Sequence, residues 1–167
     1  QNWVSNMCGI VGIVNDNLRE EELEHNLKQM TNSIRHRGPD GDGLWHNASI
    51  GIGLGHTRLS VIDLSLEGHQ PMVSNSGRFV IVYNGEVYNY KFLKKELEQL
   101  GHSFKSNSDT RVILQAIEEW GVEKAVKRFN GMFAIAVFDK RDNMLHLVRD
   151  RLGIKPLYYG IINDIFI

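Results

Sequence analysis

The sequence predicts an α+β fold with antiparallel sheets and helices set apart from the strands. Three observations support this. The apolar patterns run strand, helix, several strands, two helices and then strands again, unlike the regular strand–helix alternation of a doubly wound parallel sheet. No repeat, low-complexity tract or linker divides the 167 residues, which suit one domain. A hydrophobic content of 42% in a chain this long supplies a core without disulfides, and the single cysteine, Cys8, can form none within the chain.

Residues Cys8 to Val14 read as a buried strand. Glu20 to Ile34 reads as a helix. Leu23, Leu27, Met30 and Ile34 recur at helical spacing, and Glu20 to Glu22 suit the positive N-terminal end. Arg35 to Gly43 is rich in turn residues and predicts a loop. Leu44–Trp45 and Ile50 to Asp63 are expected to be extended, followed by a polar loop from Leu64 to Gly77 that holds Gln70-Pro71. Phe79 to Tyr83 predicts a strand ending at Asn84-Gly85. Leu93, Leu97 and Leu100 mark a second helix with Gly101 as its C-terminal cap. Val112, Ile113, Ala116, Ile117 and Trp120 mark a third, N-capped by Ser108 or Asp109. Met132 to Asp139 and Met144 to Val148 read as strands about a turn at Lys140 to Asn143, and Leu157 to Tyr159 as a further strand.

Composition excludes several classes. The 19 basic and 20 acidic side chains leave a net charge of −1, and no basic block offers a footprint for nucleic acid or an anionic membrane. No apolar run approaches the ~18 residues of a transmembrane helix. Gln1 to Met7 lack the features of a signal peptide, so a cytoplasmic protein is expected. The seven histidines show no metal-ligand spacing, and no metal site is expected. Gly51-Ile-Gly-Leu-Gly55 imitates a nucleotide loop, but its spacing is wrong and extended sequence follows. Met7 has the character of an initiator, so residues 1–7 read as a leader or an expression remnant and residues 8–167 as the domain. The apolar stretch Ile161 to Ile167 carries no polar tail, as in a chain cut from a longer one.

A lone thiol is most often a small buried hydrophobe. Position favours chemistry here. A cysteine that begins a chain carries its own base, because an α-amine titrates near pH ~8 and can activate the thiol without a histidine. A thiolate attacking an amide builds negative charge on the carbonyl oxygen, and one preorganised donor to that charge is worth roughly 3 kcal/mol. Asn84-Gly85 offers a side-chain amide and an unobstructed backbone N–H. The same dipeptide is also a favoured hairpin turn, and the two uses are compatible.

Seven stretches, in order and covering nearly the whole chain, extend this picture: Met7-Cys-Gly-Ile-Val-Gly12, Arg35-His-Arg-Gly-Pro-Asp-Gly41, His56 to Ser65 with Gln70-Pro71, Asn84-Gly-Glu-Val-Tyr-Asn89, Ser108-Asp-Thr110, Asn130-Gly-Met-Phe-Ala134 and Arg149 to Tyr159. The chain therefore resembles the glutaminase domain of class II, N-terminal-nucleophile glutamine amidotransferases, and is most similar to the type found in glutamine-hydrolysing asparagine synthetases. The resemblance implies a four-layer α/β/β/α sandwich. It implies that Cys8 attacks the glutamine side chain to form a thioester, that Asn84 and Gly85 form the oxyanion hole, and that Arg58 binds the substrate carboxylate. It further implies that Glu86 and Asp109 bind the substrate amino group and that the backbone of Leu59 to Val61 lines the pocket. Read alone, Arg58 would be an ordinary surface ion-pair former and Asp109 a helix N-cap.

The implied partners are glutamine and a C-terminal synthetase domain to which ammonia passes. No cofactor is expected in this domain, and ATP with Mg is expected only for the synthetase. A homodimer is left open. Three departures bear on these expectations. Residues before Cys8 would turn its amine into an amide, so the chain as written is expected to bind glutamine better than it hydrolyses it. A non-catalytic regulatory or interface module with a blocked Cys8 is the alternative. Arg111 stands where the family has an acidic residue and is expected on the exposed or interdomain side of its helix. The Ser-Gly-Gly-x-Asp signature of the synthetase is absent, so the ammonia acceptor is open.

Overall fold

The structure, a computed structural model, describes residues 7–59, 68–104 and 108–167. These fall into two compact units, one of residues 7–59, 69–71 and 157–167, the other of residues 68, 72–104 and 108–156.

The first unit is a five-stranded antiparallel sheet in the order β2-β3-β1-β9-β8, with one helix packed on it. The strands are β1 (Gly9–Val14), β2 (Gly41–Asn47), β3 (Ile52–Arg58), β8 (Ile161–Ile162) and β9 (Ile165–Phe166). Helix α1 (Glu20–Ser33) begins where Glu22 accepts the Arg19 N–H, 3.1 Å away, with three glutamates on its positive end. Leu23, Leu27 and Thr31, four residues apart, form its buried stripe. The glycines of Gly51 to Gly55 now have a structural explanation. A Cβ at Gly53 would stand 2.9 Å from Leu27 Cδ2, and one at Gly55 would strike Thr31 Oγ1. Their missing side chains let α1 lie close to β3, and Leu54 is buried at the position between them.

The second unit has a four-stranded antiparallel sheet in the order β4-β5-β6-β7: β4 (Met72–Val73), β5 (Phe79–Val87), β6 (Gly131–Asp139) and β7 (Met144–Arg149). Its core gathers Phe79, Ile81, Tyr83 and Val87 of β5 and Phe133, Ile135 and Val137 of β6 with the buried faces of three helices, α2 (Tyr90–Gln99), α3 (Asp109–Trp120) and α4 (Val122–Arg128). The alternate positions Val80, Val82 and Asn84 are buried too, so the strand reads as nearly continuous apolar sequence.

Four expectations need correction. The strand at Phe79 does not end at Asn84-Gly85. It continues to Val87, with Asn84 opposite Ala134 and Gly85 opposite Phe133, so the dipeptide is not a turn. Helix α4 was not expected, although Val122, Ala125, Val126 and Phe129 hold helical spacing over its short length. Leu157 to Tyr159 forms no strand, and the two-residue strands β8 and β9 follow instead. The loop from Arg35 is shorter than its turn residues suggested, because β2 already starts at Gly41. Part of the extended segment after Leu59, including Val61, lies outside the described residues. Among the described residues no helix is long and apolar enough to cross a membrane.

Candidate active site

Cys8 lies immediately before β1, one residue beyond the last registered pair, Gly9 with Thr57. Antiparallel pairing with β3 therefore brings the Cys8 end of β1 beside Arg58 and Leu59. The Leu59 N–H points at Cys8 Sγ from 3.4 Å, and the thiol reaches back to the Leu59 carbonyl at 3.9 Å. Cys8 is half-buried rather than enclosed.

Two residues that the sequence reading passed over hold this cysteine in place. Thr57 Oγ1 accepts the Gly9 N–H at 3.1 Å and donates to the Ile34 carbonyl at 3.4 Å, at the end of α1. Arg37 Nε donates to the Cys8 carbonyl at 3.4 Å, and its own carbonyl accepts the Met7 N–H at 3.1 Å. Gly9 is needed for this fit, since a Cβ there would lie 2.6 Å from Ile34 Cδ1 and 2.7 Å from Thr57 Oγ1. The signal was present in the sequence, because Arg37 and Thr57 both lie in the ordered stretches carrying the resemblance, but side-chain-to-backbone bonds leave no periodic trace. Arg58 closes β3 opposite Gly41 and is half-buried, with its carbonyl accepting the Asp40 N–H at 3.0 Å.

In the second unit, Asn84 and Gly85 occupy the middle of β5 and Asn84 is 5% exposed. The direction of the Gly85 N–H follows from its neighbours. Phe133, the residue opposite, uses both backbone groups on the other side: its N–H meets Asp150 Oδ2 at 3.2 Å and its carbonyl accepts the Asp150 N–H at 2.9 Å. Gly85 and Phe133 are thus a non-hydrogen-bonded pair, and the Gly85 N–H points away from β6. The Val87 N–H, two residues on, points the same way and reaches Asp109 Oδ2 at 3.5 Å. Strand β4 pairs only with Val80 and Ile81, so among the described strands none covers this stretch of edge. A glycine is required at position 85, because a Cβ would fall on the Met132 carbonyl oxygen and within 2.6 Å of Phe133 Cα.

Asp109 is the first residue of α3 and receives the Tyr83 hydroxyl at 2.8 Å. Burial raises its carboxyl above the ordinary range, partly offset by the hydrogen bonds from Tyr83 and the backbone of Val87. Glu86, on the same strand, is exposed. Arg111 donates to the Val73 carbonyl at 3.2 Å from a half-buried position, which ties α3 to β4. Cys8, Arg58 and Leu59 are thus assembled in one unit, and Asn84, Gly85, Glu86 and Asp109 in the other. Among the described residues no group of three or more His, Cys, Asp or Glu side chains could hold a metal ion.

Antiparallel sheets with segregated helices, and a cysteine at the head of β1, match the fold of an N-terminal-nucleophile amidotransferase. The chain belongs to the glutamine amidotransferase domain family, which matches residues 7–167. It is 42% identical over 160 residues to asparagine synthetase [glutamine-hydrolyzing] 1 of Bacillus subtilis, a match covering 95% of this chain and 25% of that protein. Asparagine synthetase [glutamine-hydrolyzing] 2 of the same organism is 46% identical over 155 residues, covering 92% and 20%. A putative asparagine synthetase [glutamine-hydrolyzing] 2 of Methanocaldococcus jannaschii is 40% identical over 169 residues, covering 92% and 32%. The chain thus spans between a fifth and a third of the length of these relatives. The solved structure of B. subtilis glutamine phosphoribosylpyrophosphate amidotransferase, complexed with ADP and GMP, shares the fold with a TM-score of 0.74 at 21% identity, over 94% of this chain and 40% of that one.

Proposed function

We propose that the domain hydrolyses glutamine through Cys8 and passes the ammonia to an ATP-dependent synthetase domain of the asparagine-synthetase type. The observation that carries this reading is the seating of Cys8: backbone fastened by Thr57 and Arg37, thiol facing the Leu59 N–H. A structural thiol requires none of these. With a free α-amine, Cys8 gives its thiol proton to that amine and the thiolate attacks the amide carbon. The oxyanion is met by the Asn84 amide and the Gly85 N–H. The amine returns the proton to the leaving nitrogen, ammonia departs and a γ-glutamyl thioester remains. Water, deprotonated by the same amine, attacks the thioester, and glutamate leaves as the thiol regains its proton. Arg58 clamps the substrate carboxylate, Glu86 and Asp109 hold its ammonium, and the Leu59 to Val61 backbone lines the pocket. ATP and Mg belong to the synthetase, and the cytoplasm suits a single reduced thiol.

The test is a chain that begins at Cys8, assayed for glutamate release and for alkylation by a glutamine-like electrophile. Release at a rate that Cys8→Ala abolishes, with labelling confined to Cys8, is the expected result. A folded chain that neither releases glutamate nor labels overturns the reading.

A further inference from the structure

We infer that Tyr83 is a positioning residue for substrate recognition, its hydroxyl holding the Asp109 carboxylate in the orientation that receives the α-ammonium of glutamine. This deepens the proposed function and rests on its assignment of Asp109. Tyr83 lies in β5, is 3% exposed and packs within the core of its unit. A phenylalanine would fill the same space, so packing does not explain the hydroxyl, which is directed at Asp109 Oδ2 from 2.8 Å.

The Asp109 carboxylate is held from two sides. A carboxylate at the first residue of a helix is drawn back to the free N–H groups of the first turn. Here the carboxylate keeps such bonds, from the backbone of Asp109 and Thr110, and the Tyr83 hydroxyl, with the Val87 N–H at 3.5 Å on the same oxygen, ties its other side to β5. The two donors come from β5 and the acceptor from α3, so the bond also registers the helix start against the strand edge.

The test compares two substrates in the chain beginning at Cys8: glutamine, and glutaramic acid, which is glutamine without its α-amine. Tyr83→Phe keeps the packing and removes the hydroxyl. The expected result is a KM for glutamine raised about 10-fold, as for a lost hydrogen bond to a charged group, with kcat unchanged within about two-fold. With glutaramic acid the penalty disappears, since no ammonium remains to be met. Asp109→Asn should give the same substrate-dependent pattern with a larger effect. A Tyr83→Phe penalty equal for both substrates, or one falling on kcat, overturns the inference and leaves the glutaminase reading standing. A chain that is folded yet inert toward glutamine overturns both.

Discussion

Asp150 shows how one side chain can organise a segment. It is 5% exposed and accepts the N–H groups of Phe133, Leu152, Ile154 and Lys155 at 2.9–3.2 Å. Burial alone would raise its carboxyl, but these backbone donors outweigh burial and hold it below the ordinary range. Asp139 is also held low, at about 2, chiefly through its hydrogen bond from Arg78. The sign follows by linkage. A carboxyl depressed in the folded state adds stability above its unfolded value near ~3.9, and that stability is lost as pH falls through the folded value. Asp150→Asn leaves two of the four N–H groups facing an NH2 that accepts neither. It should cost about 2–3 kcal/mol in urea unfolding at pH 7, with the gap to the parent narrowing below pH ~4. A gap that stays constant between pH 7 and 3 would refute this account.

Among the elements, the glycines divide by what stands in their way. At Gly85 the obstacle is the backbone of β6, which cannot yield without breaking the ladder; at Gly53 it is the flexible end of Leu27. Gly85→Ala should therefore destabilise by more than about 3 kcal/mol and Gly53→Ala by about 1–2 kcal/mol, both read by chemical denaturation. Equal costs would refute the distinction. The same strand shows what sequence reading misses at this scale. Asn84-Gly85 carries the local preference of a hairpin turn, yet long-range pairing from Phe79 to Val87 overrides it. Helix α1 was legible because Leu23 and Leu27 recur over a long stripe, whereas α4 has seven residues, too few for a pattern to stand out. Strands β8 and β9, two residues each, take their identity from pairing with each other and with Val14 of β1.

For the molecule as a whole, the chemistry proposed at Cys8 depends on the state of its amine. While residues precede Cys8, the nitrogen is an amide and accepts no proton at neutral pH. The chain beginning at Gln1 should therefore bind glutamine, seen by calorimetry, with glutamate release at least about 100-fold below that of the chain beginning at Cys8, the scale of a lost general base. Comparable turnover by both forms would show that another group acts as base. The chain spans between a fifth and a third of the length of these relatives.

The order of motifs, from Cys8 through Asn84-Gly85 to Ser108-Asp109, was enough to assign the chain to its family and the fold to antiparallel sheets, because residue identity and element order are local properties of the chain. Other features took three dimensions to define. The Leu59 N–H on the Cys8 thiol, the Thr57 and Arg37 fastenings and the Tyr83 bond to Asp109 join residues 26–51 positions apart in the chain. The outward direction of the Gly85 N–H depends on Phe133 having spent its own backbone groups on Asp150. Such contacts arise from strand pairing and helix packing, and neither composition nor spacing encodes which partner a polar group will meet.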